Sequence, residues 1–238
     1  MINYAHRGAS EYAPENTKSA FYLALIQGAN GIATDVRRSK DGELILFHDK
    51  VLDNVTDGKG NVNDLTLQEL KCLKVFGNCA TDFYDRILTL REFLICFSHY
   101  DIQFAIELKD SNLEVDVLRL VEEFGIQDRT TITSFEFAYL SKVKQICPDT
   151  RIGLLVKEPD DEHIQQLLSI QGEEICPYAK SITEESLQCW KNLGLSVSVW
   201  GVPVKRLLKK LCDMRVDGMT VDYPDRLYQY IGTINCSE

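Results

Sequence analysis

Six side chains able to do chemistry stand at or just past the ends of apolar runs. His6 and Arg7 follow Ile2–Ala5, Asp35 lies near the end of Gly31–Val36, His48 follows Leu44–Phe47, and Glu107 and Lys109 close Ile102–Lys109. Two carboxylates can hold a hard divalent cation, an arginine and a lysine can bind phosphate oxygens, and two histidines can move protons near neutral pH. Together they form a set for cleaving a phosphodiester. Singly each has a plainer explanation, since a strand-end histidine is usually structural and a strand-end arginine or lysine usually pairs with a neighbouring acid. Only their joint placement on one face calls for a site, and Ser134, Trp200 and Asp222 would join them there from later strands.

That placement depends on the elements. Period-two alternation puts Ala33 and Asp35 on one face of the strand Gly31–Val36. It likewise sets Ala105, Glu107 and Lys109 opposite Ile102, Phe104, Ile106 and Leu108. The Asp-Gly signal in Lys40-Asp41-Gly42-Glu43 turns the chain into a hairpin, so that Leu44–Phe47 delivers His48 and Asp49 toward Asp35. Asn16 or Thr17 caps a helix over Lys18–Gln27, and Thr66/Glu69 and Thr89/Glu92 are capping boxes opening two more, the first ending at Leu73. Lys50–Asp64 is polar, and the stretch from Leu73 to Ile87 reads as irregular.

Strands Thr131–Phe135, Arg151–Val156, Glu174–Tyr178, Ser196–Val202 and Gly218–Val221 then alternate with helices. The helices fall at Leu113–Phe124, Ala138–Cys147, Glu162–Leu168, Thr183–Leu193, Val204–Met214 and near Arg226–Ile231. With the hairpin counted as an insertion, the count gives eight strand–helix units: an α/β chain of the TIM (β/α)8 barrel type, whose active site forms at the carboxyl ends of the strands. The alternative, an open doubly wound sheet, lacks its Gly-rich dinucleotide loop.

At 238 residues, with 45% hydrophobic and 26% charged residues, the chain fits one domain over 1–238, with no linker interrupting it. No stretch is long and apolar enough to span a bilayer, and the first residues lack a secretory pattern, so a soluble, cytoplasmic protein is expected. The eight cysteines, Cys72, Cys79, Cys96, Cys147, Cys176, Cys189, Cys212 and Cys236, contain no CxxC pair and read as reduced thiols. A net charge of −10 argues against nucleic acid or an anionic membrane as partner, so an anionic small molecule would need local positive charge.

The ordered motifs resemble one family. His6-Arg7-Gly8, Pro14-Glu15-Asn16-Thr17, Asp35-Val36, Lys40-Asp41-Gly42, Phe47-His48-Asp49, Ile106-Glu107-Leu108-Lys109, Val199-Trp200, Val216-Asp217-Gly218 and Asp222-Tyr223-Pro224 match the glycerophosphodiester phosphodiesterases from residue 4 to about 225. The resemblance implies a (β/α)8 barrel with a small insertion after the second strand, roughly residues 50–86. It also implies hydrolysis of small-molecule glycerophosphodiesters to glycerol 3-phosphate and an alcohol with Mg2+ or Ca2+. His6 and His48 match the family's acid/base pair, Arg7 and Lys109 its phosphate contacts, Asp35 and Glu107 two of its metal ligands, and Trp200 an aromatic near the glycerol.

One position departs from the pattern. The family reads Glu-x-Asp where this chain has Ala33-Thr34-Asp35, so the third metal-ligating carboxylate is an alanine. Hard cations tune affinity by ligand charge and number, so weaker metal binding and lower turnover are expected. A lone change in an otherwise intact motif has the look of a deliberate substitution, because drift toward a non-catalytic, phosphodiester-binding barrel would erode several positions together. Two smaller departures, Gly201-Val202-Pro203 after Trp200 and Val221 before Asp222, lie at the rim. A phospholipase acting on intact lipid would call for apolar rim loops, whereas residues 50–64 are polar, so no stable membrane association is expected.

Overall fold

The computed structural model describes residues 1–77, 83–202 and 205–235. In chain order the elements are β1 (Ile2–His6), α1 (Lys18–Ile26), β2 (Gly31–Arg38), β3 (Leu44–Leu46), α2 (Leu67–Cys72), β4 (Val75–Phe76), β5 (Tyr84–Asp85), α3 (Leu90–Phe97), β6 (Gln103–Leu108) and α4 (Glu114–Glu123). They continue with β7 (Thr130–Ser134), α5 (Phe137–Ile146), β8 (Arg151–Val156), α6 (Asp161–Ser169), β9 (Glu174–Pro177), α7 (Glu184–Asn192), β10 (Ser196–Trp200), α8 (Lys205–Asp213), β11 (Gly218–Val221) and α9 (Pro224–Asn235).

Eight parallel strands run in the order β1-β11-β10-β9-β8-β7-β6-β2, and pairing of β1 with β2 (Tyr4↔Gly31, His6↔Ala33) closes them into a barrel. The antiparallel β3 pairs with the far end of β2, Val36↔Leu46. Closure leaves no free edge and turns one side chain of each inward pair toward the axis. The outward set is apolar: Ile32, Phe104, Ile106, Ile132, Ile152, Val197, Val199 and Met219 are buried beneath the helices. Helix starts follow local chemistry, with Thr17 rather than Asn16 capping α1 and the Thr66/Glu69 and Thr89/Glu92 capping boxes both formed.

Between β3 and α3 the chain carries α2, where the Thr66/Glu69 box places a helix, and a β4–β5 hairpin (Val75↔Asp85, Phe76↔Tyr84) in the stretch that reads as irregular. The two strands have two residues each, too short for alternation to register. Ile45, Phe47, Leu52, Val62, Leu70, Val75 and Ile87 form a small core there, apart from the main one. It anchors the segment that follows β3, and therefore His48. Among the described residues Cys72, Cys96, Cys147, Cys176, Cys189 and Cys212 are free thiols; Cys79, Cys236, Pro203 and Val204 lie outside them.

Candidate active site

The residues singled out from the sequence converge on one cavity of about 170 Å³ at the carboxyl ends of the strands, lined by His6, Arg7, Ala33, Asp35, His48, Glu107 and Trp200 among others. Lys109, one turn of the pleat beyond Glu107, reaches back to its carboxylate at 2.7 Å. Ser134 is instead turned to the Leu108 carbonyl (3.0 Å), so it supports the backbone and is no part of the site.

His6 ends β1. Its Nδ1 lies 2.7 Å from Asp222 Oδ1, which also accepts the Ser10 hydroxyl at 2.9 Å. Burial raises the Asp222 carboxyl, but hydrogen bonds and charge from His6 and the Ser10 hydroxyl outweigh it and hold the group below its ordinary range. His48 has a parallel arrangement: Nδ1 is 2.7 Å from Asp49 Oδ1, and Asn54 Nδ2 donates to Asp49 Oδ2 at 2.7 Å. With Nδ1–H given to a carboxylate, Nε2 of each ring is the nitrogen that can accept a proton. Burial lowers the His48 pKa, and Arg7 and Lys109 add to that against the pull of Asp35. The backbone of His48 is fixed by Arg37, whose Nε and Nη2 donate to its carbonyl at 2.9 and 2.8 Å while Nη1 meets Asp110 at 2.5 Å.

Arg7 follows in a left-handed conformation (φ 58°), its N–H bonded to the Ala33 carbonyl at 2.7 Å and its carbonyl accepting from Asn16 N–H at 2.9 Å. The next residue must be glycine: Gly8 has φ 86°, and a Cβ there would meet the Ala20 backbone at 2.6 Å. That fold-back aims the guanidinium at Glu15 (2.9 Å) and Asp35 (3.3 Å). Burial disfavours its charge, yet Asp35 and Glu15 more than compensate, so the group stays cationic. Asn16, also left-handed, donates to Asp35 Oδ2 at 2.9 Å and accepts from Thr34 at 2.8 Å.

Asp35 and Glu107 are register partners on neighbouring strands, so both carboxylates reach one place. Despite complete burial, Asp35 is held far below its usual range by Arg7, His48 and Lys109. Glu107 takes the opposite course: burial and the charge of Asp35 push it up to about 7 against the pull of Lys109. Two acids crowded until one holds a proton are a pair that a divalent cation would relieve, and two carboxylates with water and substrate phosphate suffice for such an ion. Ala33 faces the same cavity and offers no oxygen. Among the described residues no group of three His, Cys, Asp or Glu is placed to hold a metal.

The Glu107 shift has a sign for stability. Between the ordinary value of 4.5 and about 7 the folded chain binds the extra proton, so this stabilisation is full below 4.5 and lost as pH rises through 7. With metal chelated, Glu107→Gln is expected to raise unfolding free energy at pH 8 by about 1–3 kcal/mol. The gain should shrink toward pH 5.5 in urea titrations, and equal destabilisation at both pH values would sink this reading.

Trp200, at the end of β10, donates Nε1–H to the Cys176 carbonyl at 3.0 Å and packs against Phe135 (5.4 Å, near-perpendicular) and Tyr178 (5.0 Å). The sequence places Asp222 on the rim without a partner and offers Asn16 only as a helix cap; it gives no role to Asp49, Asn54, Glu15, Arg37 or Phe135. Asp49 and Asn16 stood inside the quoted motifs; Asp222 meets His6 only because the barrel closes.

A closed parallel barrel with paired acids, bases and cations at its carboxyl rim has the architecture of the (β/α)8-barrel enzymes, whose active sites form at that face. The chain matches the model of the glycerophosphoryl diester phosphodiesterase family over residues 6–226 and belongs to that family of enzymes. It is 32% identical over 233 residues to a glycerophosphodiester phosphodiesterase of Caldanaerobacter subterraneus, covering 95% of this chain and 96% of that one. A Bacillus altitudinis glycerophosphodiester phosphodiesterase is 31% identical, covering 94% and 95%. Among solved structures, an Oleispira antarctica phosphodiesterase in complex with the product sn-glycerol-3-phosphate superposes with a TM-score of 0.88 at 26% identity, covering 96% of each chain.

Proposed function

We propose that this chain hydrolyses glycerophosphodiesters to glycerol 3-phosphate and an alcohol, with His6 and His48 as the proton-transfer pair. The observation that carries this reading is that two imidazoles, each with Nδ1 held by a carboxylate at 2.7 Å, face one cavity that also receives Arg7. Arg7 and Lys109 bind the phosphate oxygens and offset the charge that grows on them in the transition state. One histidine takes the proton of the attacking hydroxyl while the other protonates the departing alcohol oxygen; water gives glycerol 3-phosphate directly, whereas attack by the substrate's own glycerol hydroxyl gives a cyclic phosphate that water then opens to the same product. Trp200, propped by Phe135, lies along the glycerol. Asp35 and Glu107 would hold Mg2+ or Ca2+, which when bound would add Lewis-acid stabilisation of phosphate charge.

The product in the Oleispira complex supports the glycerol 3-phosphate half. No helix of the described residues is long and apolar enough to cross a membrane. Ala33 favours a second reading, a barrel that binds phosphodiesters without cleaving them. Release of glycerol 3-phosphate from glycerophosphocholine and glycerophosphoethanolamine, with Mg2+ and Ca2+ titrated, separates the two. Slow, metal-stimulated release is expected, and binding without any release under either metal would overturn hydrolysis.

A further inference from the structure

Below the catalytic rim the barrel is not filled. The cavity that begins at His6 and Trp200 continues inward to Tyr4, Thr131, Glu174 and Ser198. Barrels of this type ordinarily pack bulky branched side chains in these inner layers. Here the inward residues between rim and floor include Ala33, Ala105 and Thr220, which remain partly accessible although they point at the barrel axis. The whole space, about 170 Å³, is several times the roughly 30 Å³ share of one water.

The floor is polar and incompletely satisfied. Ser198 Oγ is buried, with the residue 6% exposed, and has no hydrogen-bond partner. Glu174, 4% exposed on the adjacent strand, lies near the Ser198 and Thr131 hydroxyls with Arg151 3.7 Å away, and burial raises its pKa. A buried hydroxyl left unpaired is costly, so a ligand able to donate and accept gains by reaching Ser198 and the neighbouring Glu174 carboxyl. The shaft opens beside Ala33, where the family's glutamate would stand across its mouth.

We propose that this shaft receives the alcohol arm of the diester and selects a small, uncharged, hydroxyl-bearing group such as a second glycerol, with Ser198 and Glu174 as the specificity-determining residues. This rests on the phosphodiesterase reading above. Phosphate held by Arg7 and Lys109 leaves one ester arm along Trp200 and directs the other past Ala33. A trimethylammonium group neither donates nor accepts a hydrogen bond, and it would leave the Ser198 hydroxyl unpaired. Aromatic faces suited to such a cation stand at the rim instead.

The test compares kcat/KM for glycerophosphoglycerol, glycerophosphoethanolamine and glycerophosphocholine in the wild type, Ser198→Ala and Ala105→Val. The first variant removes the hydroxyl and the second narrows the shaft; Ser198→Ala, a contraction, keeps the question answerable if Ala105→Val overpacks. The wild type is expected to favour glycerophosphoglycerol, and each variant to lose about tenfold or more on it while glycerophosphocholine changes less than about twofold. An unchanged ratio between substrates, or a preference for the ethanolamine diester abolished by Glu174→Gln, overturns the proposal. Binding of glycerophosphoglycerol is measured by titration calorimetry in parallel with chelator present. Ser198-dependent binding without turnover of any diester removes the hydrolysis reading and keeps the shaft, whereas turnover with an unaltered ratio does the reverse.

Discussion

Replacing Ala33 by glutamate is expected to raise kcat/KM on glycerophosphodiesters about 100-fold, close to 3 kcal/mol of transition-state stabilisation, and to lower the metal concentration needed for half-maximal rate. Position 33 lies two residues before Asp35 on the same face of β2, and its Cβ faces the cavity. A glutamate there has open space to enter and can approach Asp35 and Glu107 from below. Three carboxylates bind a hard cation more tightly than two, while a third negative charge without metal would add to the repulsion already seen at Glu107. The variant should therefore be less stable than the wild type in chelator and regain stability on adding Mg2+ or Ca2+, a linkage that thermal melts detect. The same side chain would cross the mouth of the shaft, so the gain should be greater on glycerophosphocholine than on glycerophosphoglycerol. Equal inactivity of both forms, with diester binding retained, would leave the binding-barrel reading in place.

The parts of this site that the sequence disclosed are those whose positions follow from local rules. Alternation along Ile102–Lys109 is enough to put Glu107 and Lys109 on the inner face, and the Asp-Gly turn is enough to return His48 beside Asp35. Helix starts at Thr17, Thr66 and Thr89 are set by a side chain accepting a backbone N–H three residues on, an interaction contained within the local sequence. What was not legible depends on closure. His6 and Asp222 are 216 residues apart and meet because β11 pairs with β1. Arg37 reaches the His48 carbonyl only because β3 folds back along β2. The shaft was hidden for a related reason: alanine, threonine and serine in a strand look the same whether they pack against a neighbour or border empty space, and only the eight strands together reveal which.

His48→Ala and His6→Ala are each expected to reduce kcat by about 10³-fold with glycerophosphocholine, the usual scale for removing a positioned proton-transfer group. The environment favours one division of the two proposed roles. Burial together with Arg7 and Lys109 lowers the His48 pKa, which keeps its ring neutral and able to accept a proton at pH 7, as a base requires. His6, bonded through Nδ1 to the charged carboxylate of Asp222, is then left to protonate the leaving alcohol. A diester with glycerol on one side and p-nitrophenol on the other distinguishes the roles, since its leaving group needs no proton. His6→Ala should recover most of its lost rate on that substrate, and His48→Ala should stay slow. The acid limb of the wild-type pH–kcat/KM profile should fall below the ordinary histidine value of 6.5, because protonation of His48 is what stops the reaction. Recovery by His48→Ala instead would reverse the assignment, and recovery by neither would mean that the two rings position substrate and move no protons.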